Sequence, residues 1–583
     1  MENIYASRVE AIRRLGFDAV IIKGTDPHSS EYPAERWKQV QWVSGFTGEA
    51  GDIVITADHA GLWTDTRYFI QANRQLKGTG IVLHKTRVPE EVSIPDWLRE
   101  QFPGRRPLVA VDGLCQSIGD IKDLQDCEIV DRPDMLSDLW ADRPPIPATK
   151  VEAIDEKLAG MTRREKIAWL RSRLEAKGCG GIIIGALDEI TWLLNVRGED
   201  IDYNPYVISY LVVTSRRVVW FVRSVEEVPQ IEGVANADYS TLSDGIADLK
   251  GCGRIMADPS TINYNVYKTL KSELGEENLL LSPSPVPAFK AVKNDKETEG
   301  FRKAFFEDGV AMEKFLYWLE TQVQSRNEIT EWDASVRLTE LRSQIEGYRG
   351  NSFENISAYG ENAALPHYVT PVEGSAVIKK KGLYLVDSGG HYLYGTTDIT
   401  RTVPMGRCSR SEKIDYTLVL KGMIDLSMAI FPRGSAGCQI DAIARRPLWS
   451  ERKNFGHGTG HGIGWRSGVH EGPQDIRQNF NSMPLLPGMV TSNEPGLYRE
   501  GKYGIRHENV VLCKEAGKTE YGEFYAFETL TLCHIDRGAI VRRLLSKDEI
   551  KWLNAYNKTV RKKLSPRLTP EEAKWLKKKT RKI

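Results

Sequence analysis

The stretch LYLVDSGGHYLYGTTDITRTV, residues 383–403, holds two β-type runs with glycines between them at 389, 390 and 395. That pattern predicts a hairpin or close antiparallel pair, with Asp387 on one arm and Asp398 on the other. Two carboxylates then face one space. Like charges so close raise one pKa steeply unless a cation neutralises them, and a bound metal pair is the strongest compensation available. The competing reading is a pair of turn aspartates that cap backbone amides.

Downstream, GHGTGHGIG at 456–464 carries Gly at every second position. With the period of two of an extended strand, His457, Thr459, His461 and Ile463 share one face, and the other face has no side chains. Another element can then approach closely while two histidines point into one pocket. A phosphate-cradling loop would need a following Lys-Ser/Thr and a helix, which GWRSGVHEGP does not supply. MVTSNEPG ends a short apolar strand with Glu494 just before a Pro-Gly breaker. In GIRHENVVLC, at 504–513, alternation places Arg506, Glu508 and Val510 on one side and Ile505, His507 and Asn509 on the other. Parity therefore admits Glu508 to the site beside Arg506 and turns His507 away.

The set is Asp387, Asp398, His461, Glu494 and Glu508. Such an oxygen-rich, thiol-free group suits Mn, Mg or similar hard divalent ions better than structural zinc. Four negative charges also match two divalent cations, which together polarise a carbonyl and activate a water. Seven of the ten histidines (367, 391, 457, 461, 470, 507 and 534) lie after residue 360, so the chemistry is expected in the last part of the chain.

The remainder of the 583 residues is too long for one core and predicts several domains. Lys+Arg and Asp+Glu both total 79, which argues against nucleic acid or an acidic membrane as partner. No run reaches about 18 uncharged apolar residues and the N-terminus has no signal-like core, so a soluble, cytoplasmic chain is expected. The eight cysteines form no C-x-x-C pair and read as reduced, buried residues. Two segments read as diverged copies of one α/β unit. SRVEAIRRLG, DAVIIKG, WVSGF, GDIVITA and AGLWTDTRYF make the first; REKIAWLRSRLEAKG, GGIIIG, WLLNVRG, YLVVTS and RVVWFV make the second. The Pro-rich stretch at 139–154 and the charged one at 288–300 set boundaries, giving domains 1–145, 146–297 and 298–583. A long amphipathic helix opens the third, and the basic tail after 546 is expected as a docked, solvated helix.

At this point the sequence resembles the pita-bread metallopeptidases, the group of methionine aminopeptidase, prolidase and aminopeptidase P, whose ligand order Asp, Asp, His, Glu, Glu is intact here. The resemblance narrows to the long, three-domain aminopeptidase P family and covers nearly the whole chain. SEYPAERWKQVQWVSGFTGEAG, LWTDTRYFIQA, LDEITWLLNVRG, GTTDITRT, HGTGHGIG, VHEGP, EPG, GIRHENVVL and FETLTLCHID carry it. It implies two related N-terminal α/β domains and a C-terminal pita-bread catalytic domain, α/β (α+β) throughout. It implies that Asp387 binds one metal, that Asp398 and Glu508 bridge both, and that His461 and Glu494 complete the second. His367 in ALPHY, His457 and His470 resemble the family's further active-site histidines, and Arg506 the residue that orients a bridging glutamate. The implied reaction is removal of the residue before a proline by a hydroxide bridging two ions, Mn²⁺ with Zn²⁺ or Co²⁺ as alternatives, with Glu494 as general base. The implied partners are peptides with proline second and a second copy of the chain. A prolidase shares the metal set and is the main competitor; a catalytically inactive peptide-binding relative would have lost ligands.

Overall fold

Strands β1 (Ala19–Ile22), β2 (Asp52–Thr56), β3 (Ala60–Thr64), β4 (Val82–Lys85), β5 (Leu108–Val111) and β6 (Glu128–Asp131) form one sheet of order β4-β3-β2-β1-β5-β6 in the computed structural model, which describes residues 3–583. Six further strands repeat it: β7 (Cys179–Ile184), β8 (Ser209–Thr214), β9 (Val218–Val222), β10 (Ala235–Asp238), β11 (Arg254–Ala257) and β12 (Leu279–Leu281), in the order β10-β9-β8-β7-β11-β12. In both, the central strand runs antiparallel to the next strand in sequence and parallel to the fifth. The expected internal repeat is therefore a repeat of topology. Apolar runs explain the central strands, since β1 and the end of β7 are buried on both faces. A helix precedes each central strand, α1 (Ile4–Arg13) and α2 (Arg163–Ala176), the latter opened by a Thr162/Glu165 capping box. The two Trp-containing stretches are short helices, Gln39–Ser44 and Leu187–Leu194, ended by left-handed Gly45 and Asn195.

The described residues divide into two compact units between Val286 and Pro287. In the second unit, helix α3 (Asp295–Gln324) starts where Asn294 accepts from the amides of Lys296 and Glu297 while Glu297 answers the Asn294 amide. Its apolar face buries Phe301, Phe305, Phe315 and Leu319. Strands β13 (Ile356–Tyr359), β14 (Leu383–Ser388) and β15 (Ile399–Pro404) make an antiparallel sheet with β14 central. The register sets Asp387 opposite Thr400 and Ser388 opposite Ile399. The predicted pair of arms is present, and the link between them forms a smaller hairpin, Gly390–Tyr392 against Gly395–Thr396.

Helices α4 (Arg410–Ser427) and α5 (Gly437–Trp449) flank a second sheet of six strands. It contains β16 (Ile430–Pro432), β17 (Gly460–Gly462), β18 (Glu471–Ile476), β19 (Val490–Asn493), β22 (Asn509–Thr519) and β23 (Gly522–Thr529), in the order β16-β23-β22-β19-β17-β18. The hairpin β20 (Gly496–Arg499) and β21 (Tyr503–Arg506) stands apart from it. The glycine-rich segment is a strand only over Gly460–Gly462, shorter than its alternation suggests. The register shifts after His461, and Thr459 is drawn off to donate to Asp441 at 2.6 Å. The bare face works as expected: a Cβ at Gly460 would lie 1.9 Å from the Ser492 carbonyl oxygen, and one at Gly462 would lie 2.1 Å from that of Glu471.

The tail after 546 forms α6 (Lys547–Leu564) and α7 (Pro570–Lys579), each opened by a capping box. Leu553, Val560, Leu564 and Leu576 bury against the second unit, and Lys579 pairs with Asp536 at 2.7 Å, so the tail is docked. All eight cysteines are free, six of them buried. Among the described residues no helix is long and apolar enough to cross a membrane.

Glu471, at the start of β18, is fully buried and accepts from Lys290 at 2.7 Å and also from Lys293. The two ammonium groups outweigh the cost of burial and hold its carboxyl below the usual glutamate range. Glu471→Gln removes the buried carboxylate that Lys290 and Lys293 share and should cost about 3–5 kcal/mol in chemical denaturation at neutral pH. Because the folded-state pKa is depressed, wild type loses this stabilisation as pH falls through it, so the gap to the variant should close on acidification. Equal stability at neutral pH, or a gap that widens in acid, would contradict this.

Candidate metal centre

Asp387 is the next-to-last residue of β14 and Asp398 immediately precedes β15, so the antiparallel register brings the two carboxylates to one end of the sheet. Both are buried, as is Glu508, which sits between β21 and β22 where the chain changes pairing partner. Ligand atoms of Asp398, His461 and Glu508 all lie within 4.8 Å of one another. His461 Nε2 is 3.4 Å from Asp398 Oδ2 and 3.4 Å from Glu494 Oε1. Its Nδ1 lies 3.0 Å from the Gly462 carbonyl oxygen, which accepts the Nδ1 proton and leaves Nε2 to face the carboxylates. The five predicted ligands are thus brought together.

One permanent cation meets this group. Arg506 donates through Nε, at 3.1 Å, and through Nη2 to Asp387 Oδ2, and its Nε lies 3.9 Å from Glu494 Oε2. It does not balance four carboxylates. Burial, then the negative charge of Asp398, outweighs Arg506 and raises the Asp387 pKa. Burial, with Asp398 and Asp387 adding to it, pushes Glu494 up to about 7, and burial with three carboxylate neighbours lifts Glu508 well above its usual range. Asp387 Oδ1 and Glu508 Oε1 are buried with no hydrogen-bond partner. Acceptor oxygens orphaned in this way, around a bare imidazole nitrogen, fit divalent cations as the missing partners.

Around the carboxylate floor stands a rim of partly exposed histidines. The His470 ring packs edge-on to His461 with centroids 4.4 Å apart. His457 Nε2 lies 2.8 Å from the Tyr498 hydroxyl, which accepts from Arg506 Nη1 at 2.6 Å. Burial, then the Arg506 charge, holds the His457 pKa well below 6.5, so its ring is neutral. His367 follows Pro366, whose carbonyl accepts from Arg506 Nη2 at 3.2 Å, and lies near enough to interact with His457. All the predicted catalytic residues, His367, His457, His470, Glu494 and Arg506, are therefore gathered at one place. His507 is outside it: its ring stands edge-on to Tyr416 at 4.4 Å, and burial drives its pKa to about 3.

Two residues that sequence reasoning passed over belong to the network. Thr400 donates to Glu508 Oε2 at 3.0 Å and accepts from Arg506 Nε at 3.1 Å. Tyr498 links Arg506 to His457. Alternation counted outward from Asp398 reaches Thr400, and from Glu494 reaches Tyr498, so the same parity that selected Glu508 carries a signal for both.

Comparison with known proteins adds the following. The model of metallopeptidase family M24 matches residues 299–515, and that of the C-terminal region of the same peptidases matches 523–583. Creatinase/prolidase N-terminal domain models match 7–129 and 142–297. A probable Xaa-Pro aminopeptidase P of Laccaria bicolor is 37% identical over 96% of this chain and 90% of its own. Xaa-Pro aminopeptidase 2 of Mus musculus is 38% identical over 96% and 85%. The crystal structure of X-prolyl aminopeptidase from Caenorhabditis elegans, described as a cytosolic enzyme with a di-nuclear active site, superposes with a TM-score of 0.95 at 33% identity, covering 99% of this chain and 100% of that one. A Xaa-Pro dipeptidase from Bacillus anthracis covers 64% of this chain with a TM-score of 0.52. With such identity sustained along whole chains, and with the M24 model falling on the part that carries the carboxylate cluster, the protein belongs to the Xaa-Pro aminopeptidase P family of M24 metallopeptidases.

Proposed function

We propose that the chain is an Xaa-Pro aminopeptidase that hydrolyses the bond before a penultimate proline, with Asp387, Asp398, His461, Glu494 and Glu508 holding two divalent ions. The observation that carries this reading is the buried group of four carboxylates facing a bare imidazole nitrogen, with two acceptor oxygens lacking any partner. Ions bound there supply Lewis acidity at the scissile carbonyl and make a hydroxide nucleophile available at neutral pH. Asp398 and Glu508 are the candidates to bridge, while Asp387 serves one ion and His461 and Glu494 the other. Mn²⁺ is the ion proposed, because the donor set is four carboxylates and one imidazole without a thiol.

The chain's own groups do the rest. Glu494, whose carboxylate lies 3.4 Å from His461 Nε2, is the candidate to take the proton of the attacking water and to hand it to the leaving nitrogen. The scissile nitrogen belongs to a proline ring and has no N–H, so substrate orientation must come from the carbonyl side. The His367 and His470 rings at the rim are the candidates to donate there and to stabilise the charge that develops on the carbonyl oxygen. Arg506, fixed by Tyr498, Thr400 and the Pro366 carbonyl, keeps Asp387 oriented. Residues 1–145 and 146–297 are proposed as two repeated non-catalytic domains, 298–583 as the catalytic one. A cytoplasmic location agrees with the cytosolic relative. A homodimer is proposed from family resemblance.

Protein stripped of metal and reloaded with Mn²⁺ should cleave X-Pro-X tripeptides and be far weaker on X-Pro dipeptides. His461→Ala should lower kcat/KM by about 10³-fold or more, equivalent to about 4 kcal/mol. A dipeptide-only profile would make the chain a prolidase, and wild-type turnover by the variant would remove His461 from the site. Tyr498→Phe should keep its fold and KM while kcat falls about 10–100-fold, as expected for a group that orients through its neighbours. An unchanged kcat would show that the Arg506 to His457 link has no catalytic consequence.

A further inference from the structure

Between β13, which ends at Tyr359, and β14, which begins at Leu383, the chain runs through a long connection whose regular structure is one 3₁₀ turn, Gly360–Ala364. This connection carries His367 to the rim of the metal centre. A loop of such length has little of its own to hold a side chain in place, so its anchors decide where His367 points.

The residues on either side of His367 are both anchored. The Pro366 carbonyl accepts from Arg506 Nη2 at 3.2 Å, which ties one side to the metal centre. On the other side, the Tyr368 hydroxyl donates to Glu331 Oε2 at 2.9 Å. Glu331 is the first residue of the helix Glu331–Ser343, behind the Thr330/Asp333 capping box, and is 0% exposed. Its carboxylate gathers the connection along its length. Oε1 accepts from the Tyr359 amide at 2.5 Å at the start, and both oxygens accept from Asn362 Nδ2 at 3.1 Å in the turn. Near the far end, Oε2 accepts from the Ala376 amide at 3.3 Å. None of these bonds reaches a predicted metal ligand.

A carboxylate at this place has a physical reason. Four donor groups converge on its two oxygens, whereas a side-chain amide offers one oxygen and would turn its own NH₂ against the remaining donors. All four donors are neutral. Burial raises the Glu331 pKa, and the hydrogen bonds from Tyr359, Asn362, Tyr368 and Ala376 work against that rise. A carboxylate buried among neutral donors is not by itself stabilising; what it achieves is order, since one group fixes the start, the turn and the end of the connection together.

We propose that Glu331 is a positioning residue for the peptidase reaction: through Tyr368 it sets the backbone at His367, so that the imidazole meets the carbonyl of a bound peptide. This rests on the reading of His367 as a donor at the scissile carbonyl. The test is a double-mutant cycle on the Mn²⁺-loaded protein, in which cleavage of an X-Pro-X tripeptide and manganese per chain are both measured. His367→Ala should lower kcat about 10²-fold. Glu331→Gln and Tyr368→Phe should each lower kcat about tenfold or more, with KM nearly unchanged and manganese content equal to wild type. Placed in His367→Ala, either change should cost less than about twofold further, because the group through which it acts is gone. Tyr368→Phe keeps the ring and the buried carboxylate, so it carries the test if Glu331→Gln does not fold. Equal losses with and without His367, or no loss where His367 is present, would show that Glu331 only supports the fold and would overturn the proposal. Wild-type turnover by His367→Ala would remove the reading beneath it, and the proposal with it. A wild type that cleaves no X-Pro-X peptide would instead overturn the function proposed for the chain and this role together.

Discussion

Four carboxylates and an imidazole nitrogen share a buried space in which Arg506 is the cation paired with the carboxylates themselves. Left alone, such a group is unstable as a set of anions: burial and mutual repulsion raise the pKa of Asp387, Glu494 and Glu508 despite the guanidinium. The fold does not relieve this by separating them. It fixes them through β14 and β15, the bare glycine faces of β17, and the change of pairing partner at Glu508. A structure that spends so much order on holding like charges together is arranged for cations that arrive later.

The support of that arrangement reaches the C-terminal segment. Arg401, in β15, is buried on the face opposite Thr400 and donates to the carbonyls of Glu508, Cys533 and His534, to Asn509 Oδ1, and to the Tyr556 hydroxyl at 2.9 Å. The strand that follows Asp398 is thereby tied to the segment of FETLTLCHID and to helix α6. His534 in turn gives Nδ1 to the buried Glu313 of α3 at 2.8 Å and stands edge-on to Trp575 of α7. The tail is basic on its outer face and structural on its inner one, which is why a lysine-rich sequence carries buried Leu564 and Leu576.

Period-two parity made the centre legible. Asp387, Asp398, His461, Glu494 and Glu508 all lie on or beside strands whose alternation assigns a side, and His507 was separated from Glu508 by one residue of phase. The rule reached its limit where backbone pairing changes: residues 504–513 read as one strand but fall in two, each with its own partner, and the glycine segment is a strand over three residues only. Thr400 and Tyr498 are hydroxyl residues of ordinary appearance, in phase with Asp398 and Glu494 but joined to the centre by partners far along the chain, Glu508 for Thr400 and His457 for Tyr498. Helix starts were legible in principle through Thr162/Glu165, Ser409/Glu412 and Ser546/Glu549, each a hydroxyl followed three residues on by a glutamate.

The central claim is that these five residues together hold two divalent ions. Its most direct test is metal content: the metal-stripped chain, equilibrated with Mn²⁺, desalted and analysed for manganese per polypeptide. The account predicts about two ions per chain in wild type and loss of the pair in Asp398→Ala, since the carboxylate proposed to bridge would serve both. A wild type that retains one ion or none, or an Asp398→Ala variant that keeps two, would contradict it.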